Sequence, residues 1–158
     1  MAEYYTQFSF EIRGLNDDEE AWCNKLELFL GQDPEVWDFV NPDADVEFAG
    51  IVEPGSWPSV AVSTQMGDDG HQRLWVWSGE DGCGSPDEAA TIARKFLDRF
   101  RPDETIAFEF AVSCSKPRLD SFGGGAVVIT AENTEWLNTG TWIYEMTRVT
   151  EPPPDSEH

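Results

Sequence analysis

Along residues 4–12 (YYTQFSFEI) polar and apolar side chains alternate, with Phe8, Phe10 and Ile12 on one side, the two-residue period of a half-buried strand. The period then changes. Asn16-Asp17-Asp18-Glu19 offers a capping side chain and, three residues later, a carboxylate that can reach back to the cap amide, so a helix is predicted over about 17–31. Trp22, Leu26, Phe29 and Leu30 share its apolar face, and Gly31 stands where a helix stops. Residues 32–45 hold Pro34 and Pro42 around Val36, Trp37, Phe39 and Val40, which reads as a connection pinned to the core by apolar anchors. Alternation returns at 46–52 (VEFAGIV), 59–65 (SVAVSTQ) and 72–78 (QRLWVWS), three further strands; Gly67-Asp-Asp-Gly70 is the hairpin signal between the last two.

The second helix carries the strongest local pattern. Ser85-Pro86-Asp87-Glu88 combines an N-cap, a proline at the first helical position and a capping-box glutamate. Ala89, Ile92, Ala93, Phe96, Leu97 and Phe100 then form one apolar stripe, and Pro102 ends it. A strand over 105–115, a connection ending in Gly123-Gly124-Gly125, a strand over 126–131 and one more within 135–144 complete the order β-α-β-β-β-α-β-β-(β). Hairpins dominate, so the expected fold is α+β: a mostly antiparallel sheet with both helices on one face. The order also reads as a βαββ unit used twice, over about 4–65 and 72–131. Residues 1–150 are expected to form a single domain and the tail from Glu151 (EPPPDSEH) to be disordered.

Composition fits a packed domain: of 158 residues 40% are apolar, with seven Trp and ten Phe. Charge changes the picture. The formal net charge is −21, and residues 1–70 contribute 16 acids against two bases, Arg13 and Lys25. Such a field repels nucleic acid and anionic membrane and attracts basic partners, including grooves that hold DNA or RNA. The plainer alternative is that the acidity keeps the protein soluble or reflects a salt-rich host. Candidate partner-binding residues are Asp17, Asp18, Glu19, Glu20, Asp33, Glu35, Asp38, Asp43, Asp45 and Glu47, carboxylates that can imitate phosphates toward Lys and Arg. Arg94, Lys95, Arg99 and Arg101 have a simple reading as cations complementing a helix C-terminus.

Candidate chemistry is sparse. Cys23, Cys83 and Cys114 are odd in number and form no CxxC, which disfavours zinc and disulfides and suits reduced thiols. The start MAEYYTQF has no basic or apolar signal region, so the expected compartment is the cytoplasm. No calcium loop occurs, and no metal or cofactor is expected. His71 sits in a hairpin turn and His158 at the chain end, with nothing to place either beside a nucleophile. The segment 113–125 gathers Cys114, Lys116, Arg118, Asp120 and three glycines. It can be read as a ligand or nucleophile site, but it lacks the GxxxxGK[ST] grammar, and its glycines precede a strand rather than a helix. A close-packing role for the glycines is the structural reading. Arg73, Trp75 and Trp77 share one strand face opposite Leu74 and Val76. Either the Trp face is the core, the plainer reading, or it is an exposed platform for one cognate partner.

YYTQFSFEI, KFLDRFRPDE, SCSKPRLDSFGGGAVVIT and NTGTW resemble a family of small acidic proteins of unassigned function encoded on plasmids, phages and integrated elements. The resemblance spans about 4–13 and 95–142 and leaves 32–70 unmatched. It implies a mobile-element context, in which small acidic proteins serve as inhibitors of host nucleic-acid-binding defences. It carries over no catalytic residue. The expectation from sequence is therefore a non-enzymatic acidic binding protein for a basic protein partner, with no direct nucleic-acid or membrane contact.

Overall fold

The computed structural model describes residues 4–31, 47–48, 50–52, 57–79, 81–115 and 122–148. The predicted 32–45 connection and the tail from Glu151 lie outside them. Among the described residues nine elements follow in order: β1 (Tyr4–Leu15), α1 (Asp17–Leu30), β2 (Ala61–Met66), β3 (Gln72–Trp77), α2 (Pro86–Phe100), β4 (Ile106–Cys114), β5 (Gly123–Ile129), β6 (Thr134–Asn138) and α3 (Thr139–Arg148). The strands form one six-stranded sheet in the order β2-β3-β1-β4-β5-β6, and every adjacent pair is antiparallel.

β1 is long enough to serve two neighbours in succession. Tyr4–Phe8 pair with β4 and the Ser9–Leu15 half with β3, with a register shift between Ile12 and Leu15. Phe8, Ile12, Leu74, Val76, Phe108, Val127 and Ile129 point from the sheet into a single core. α1 and α2 close that core from the same side. Trp22 of α1 meets Phe96 and Phe100 of α2 edge-on, at ring separations of 5.8 and 6.0 Å. Ile92, Phe96 and Leu97 are wholly buried, and each such side chain contributes about 1.5–3 kcal/mol through burial.

Both predicted caps form, with one change of role. Asn16 Oδ1 accepts the Glu19 amide at 2.8 Å, and Glu19 Oε1 accepts the Asn16 amide at 2.9 Å, the reciprocal box. At α2, Ser85 accepts the Glu88 amide, but the Glu88 carboxylate takes the amide and hydroxyl of Ser59 instead. It ties the segment before β2 to the helix.

Three expectations need correction. The described part of 46–52 is no strand: Glu47, Phe48 and residues 50–52 run through a helical turn and bends, and bury Phe48 and Ile51. The described residues of 4–65 accordingly supply β-α-β rather than a first βαββ unit. The predicted final strand stops at Asn138, where the chain turns straight into α3; Asn138 Oδ1 accepts the Thr141 amide as its cap. The glycine run is not a connection but the first half of β5. A Cβ on Gly124 would stand 2.3 Å from Phe110 O and one on Gly125 2.0 Å from Leu137 O. Only glycine lets β4 and β6 approach this closely.

Candidate functional site

The acidic candidates divide by what the fold does with them. Asp17 and Asp18 open α1, where the helix dipole favours negative charge, and both face solvent; Glu20 is half-buried. Glu19 is not a surface acid. It is 3% exposed, and beyond its capping bonds it receives the Arg101 guanidinium at 2.8 Å (Nε to Oε2) and 3.1 Å (Nη2 to Oε1). Burial alone would raise its pKa; hydrogen bonds from Arg101 and the Asn16 amide, with the Arg101 charge, outweigh burial and hold it below the ordinary value. Arg101 Nη2 also donates to the carbonyls of Arg13 and Gly14. The pair therefore locks the end of α2 to the end of β1 and the start of α1, which corrects both the partner-binding role of Glu19 and the dipole reading of Arg101. Glu47 is likewise engaged internally, by Arg99 at 2.9 Å. Asp33, Glu35, Asp38, Asp43 and Asp45 lie outside the described residues.

Among the described residues, only Glu11, Glu19, Glu47 and Glu104 form salt bridges. The remaining described carboxylates, including Asp17, Asp18, Asp68 and Asp69, carry charge that no described cation pairs with.

The Trp strand resolves against the core reading. Leu74 and Val76 are wholly buried under the helices, so Arg73, Trp75 and Trp77 stand on the opposite face, away from α1 and α2, each half-buried. The two indoles stack at 3.8 Å with planes 13° apart. Trp75 Nε1 donates to Ser9 Oγ at 2.8 Å, and Arg73 Nη1 donates to Glu11 Oε2 at 2.6 Å, with Arg13 on the other Glu11 oxygen. Ser9, Glu11, Gln65, Arg73 and Trp75 line a groove of about 370 Å³ with the backbone side of Phe10. Beside it, Glu11, Arg13, Asp68, Asp69 and Arg73 surround a smaller polar hollow of about 180 Å³. Small residues flank this ridge across the sheet, Ala107, Ala111 and Ala126 sharing its face by register. The ridge offers flat apolar area with hydrogen-bonding edges, the equipment of a docking surface.

The 113–125 segment does not assemble a reactive centre among the described residues. Cys114 is buried at the end of β4, and Lys116, Arg118 and Asp120 lie outside the described residues. Cys23 is wholly buried, and burial, with the nearby Glu19 charge second, pushes its thiol up to about 12. Cys83 is exposed, its Sγ 3.5 Å from Tyr4 O. His71 is exposed in the β2–β3 hairpin. No group of three or more His, Cys, Asp or Glu among the described residues is placed to share a metal ion. No described helix is long and apolar enough to cross a membrane.

Two features escape a reading by sequence. A groove of about 440 Å³ runs between α2 and β6, lined by Thr91, Arg94, Lys95, Asp98 and Trp136 among others; Arg94 there donates to the carbonyls of Ala131 and Glu132. The second is the exposed apolar end formed by β6 and α3. The signal for the latter was present as Asn138-Thr-Gly-Thr, a helix start inside an aromatic-rich stretch.

No family model, curated protein or solved structure matches the chain.

Proposed function

We propose that this is a non-enzymatic binding protein whose carboxylate-rich surface engages a basic groove on a partner protein, of the kind that otherwise holds nucleic acid. The observation that carries the reading is the unpaired charge. In a chain of net charge −21, the fold retains only four of the described carboxylates in internal salt bridges and leaves Asp17, Asp18, Asp68 and Asp69 facing solvent. Unpaired carboxylates compete for Lys and Arg groups as phosphates do, and binding then releases the counterions of both surfaces.

The test is capture of the partner on the immobilised protein, stepwise salt elution, and a gel-shift competition with the captured protein and its nucleic acid. The expected result is displacement of nucleic acid, and an affinity that falls about tenfold or more between about 50 and 200 mM salt. Changing Asp17 and Asp18 together to Lys should weaken it further. Binding that ignores both salt and these substitutions would sink the proposal.

A second reading has its own observation, the stacked Trp75–Trp77 ridge on the face away from α1 and α2. A single cognate partner docking there would make a contact dominated by buried aromatic area, insensitive to salt and abolished by Trp75→Ala.

A further inference from the structure

We infer that the β6–α3 end of the molecule is a self-association surface, through which two copies of this chain pair about a dyad. The starting observation is a helix that no described residue buries. Every residue of α3 is exposed, including Trp142 at 53%, Ile143 at 54%, Tyr144 at 64% and Met146 at 55%. A ten-residue helix in water is at best marginal without packing on one face. The preceding strand has the same character: Trp136 and Leu137 of β6 are 44% and 53% exposed, and β6 is an edge of the sheet. It carries neither lysine nor proline to blunt that edge.

Charge chooses the occupant. Residues 134–148 contain only Glu135, Glu145 and Arg148 as charged groups, in a chain of net charge −21. A basic partner gains nothing from this nearly neutral end. A second copy gains most from it, because two strongly negative molecules repel least where their neutral surfaces meet. The edge supplies the symmetry: an antiparallel strand pairs with its own copy across a two-fold axis, each using the same residues. Trp136 and Leu137 project from opposite faces of β6, so the two copies meet along the strand edge; Trp142, Ile143 and Met146, which share one stripe of α3, offer roughly 350 Å² per copy. The backbone edge of β6 adds to that, which stays below the roughly 800 Å² per partner of a stable interface and fits a weak pairing at tens of micromolar chain.

The test is sedimentation equilibrium of the full chain at about 10–100 μM, in low and moderate salt. The expected species is twice the 17.7 kDa chain mass, tightening as salt rises because screening removes the repulsion between copies. Leu137→Lys with Trp142→Glu should weaken self-association about tenfold or more. Met66→Lys on β2, the opposite edge of the sheet, should leave the dimer intact and so controls for general damage. A wild-type monomer throughout this range overturns the inference, and would mean that another segment of the chain or a different protein covers the patch. A dimer that survives Leu137→Lys/Trp142→Glu, or is lost in Met66→Lys, overturns it equally.

Discussion

The Glu19–Arg101 pair separates an acid used for folding from acids available to a partner, and the difference is measurable. Arg101→Met keeps much of the aliphatic stem that lies over Phe96, whose ring centre is 5.2 Å from the guanidinium carbon. It deletes every hydrogen bond to Glu19, Arg13 and Gly14. Glu19 is then a nearly buried carboxylate held only by its cap amide. Removing one member of a buried pair costs about 3–5 kcal/mol; because the Asn16 amide remains, the lower end, about 3 kcal/mol, is expected. For a chain of this size that is a fall of about 6–12 °C in thermal midpoint. Glu19→Gln retains a side chain competent at the third helical position and should cost less, about 1–2 kcal/mol. The double variant should fall short of the sum by about 1–3 kcal/mol. The assay is urea unfolding of the four proteins at neutral pH. A coupling energy under about 0.5 kcal/mol would refute the argument, since the two groups would then be acting independently. The pH dependence has a fixed sign. The Glu19 carboxyl is lowered in the folded state, so its contribution is complete above the ordinary carboxylate pKa of about 4.3 and is lost as pH falls through the lowered value. Glu19→Gln should remove that part of the acid slope. Asp17→Asn/Asp18→Asn should instead cost at most about 1 kcal/mol, through the helix dipole.

Two other outcomes follow from the packing. With a thiol reagent at neutral pH, Cys83 should react first and Cys114 and Cys23 only on unfolding, because Cys83 alone of the three is exposed; fast labelling of Cys114 would revive a reactive site in 113–125. Gly125→Ala places a methyl against Leu137 O and should destabilise by about 3 kcal/mol or more. Limited proteolysis should then cut first within 134–148; an unchanged melting curve would contradict the close approach of β5 and β6.

The sequence was most legible where a local pattern was complete in itself. α2 announces its cap, its proline and its whole apolar stripe within sixteen residues, and β1 alternates as far as Ile12, where its register shifts. It misled where local preference and the tertiary outcome part. VEFAGIV alternates, yet Phe48 and Ile51 are buried three residues apart on a turn. Thr, Trp, Ile and Tyr after Asn138 favour a strand by propensity, but the Asn138 cap starts a helix. Alternation alone left open which face of the Trp strand meets the core. Trp22, Phe29, Phe48, Phe96 and Phe100 already fill the space beneath the helices, so the sheet contributes the slimmer Leu74 and Val76. Trp75, with an N–H to satisfy, finds Ser9 on the open side. The capping role of Glu19 was legible, but its burial against Arg101 was not, because that partner lies 82 residues away.

That distance also explains how one chain carries surplus charge and a neutral end together. The cations are spent where they fasten elements: Arg101 at the α1 cap, Arg99 on Glu47, Arg73 and Arg13 on Glu11. The other six of the ten Lys and Arg are too few to balance the surplus acids, so, Glu104 aside, the described carboxylates outside these locks stay unpaired, and the β6–α3 end is nearly neutral because it holds few acids. The two proposed surfaces should therefore answer salt with opposite signs. Engagement of a basic partner through the carboxylates weakens as ionic strength rises, while pairing of copies through Trp136, Leu137 and α3 strengthens. A titration with salt that reads partner binding and sedimentation on the same preparation tests both at once. If both weaken together, then self-association runs through charge, and the apolar end has been assigned the wrong occupant.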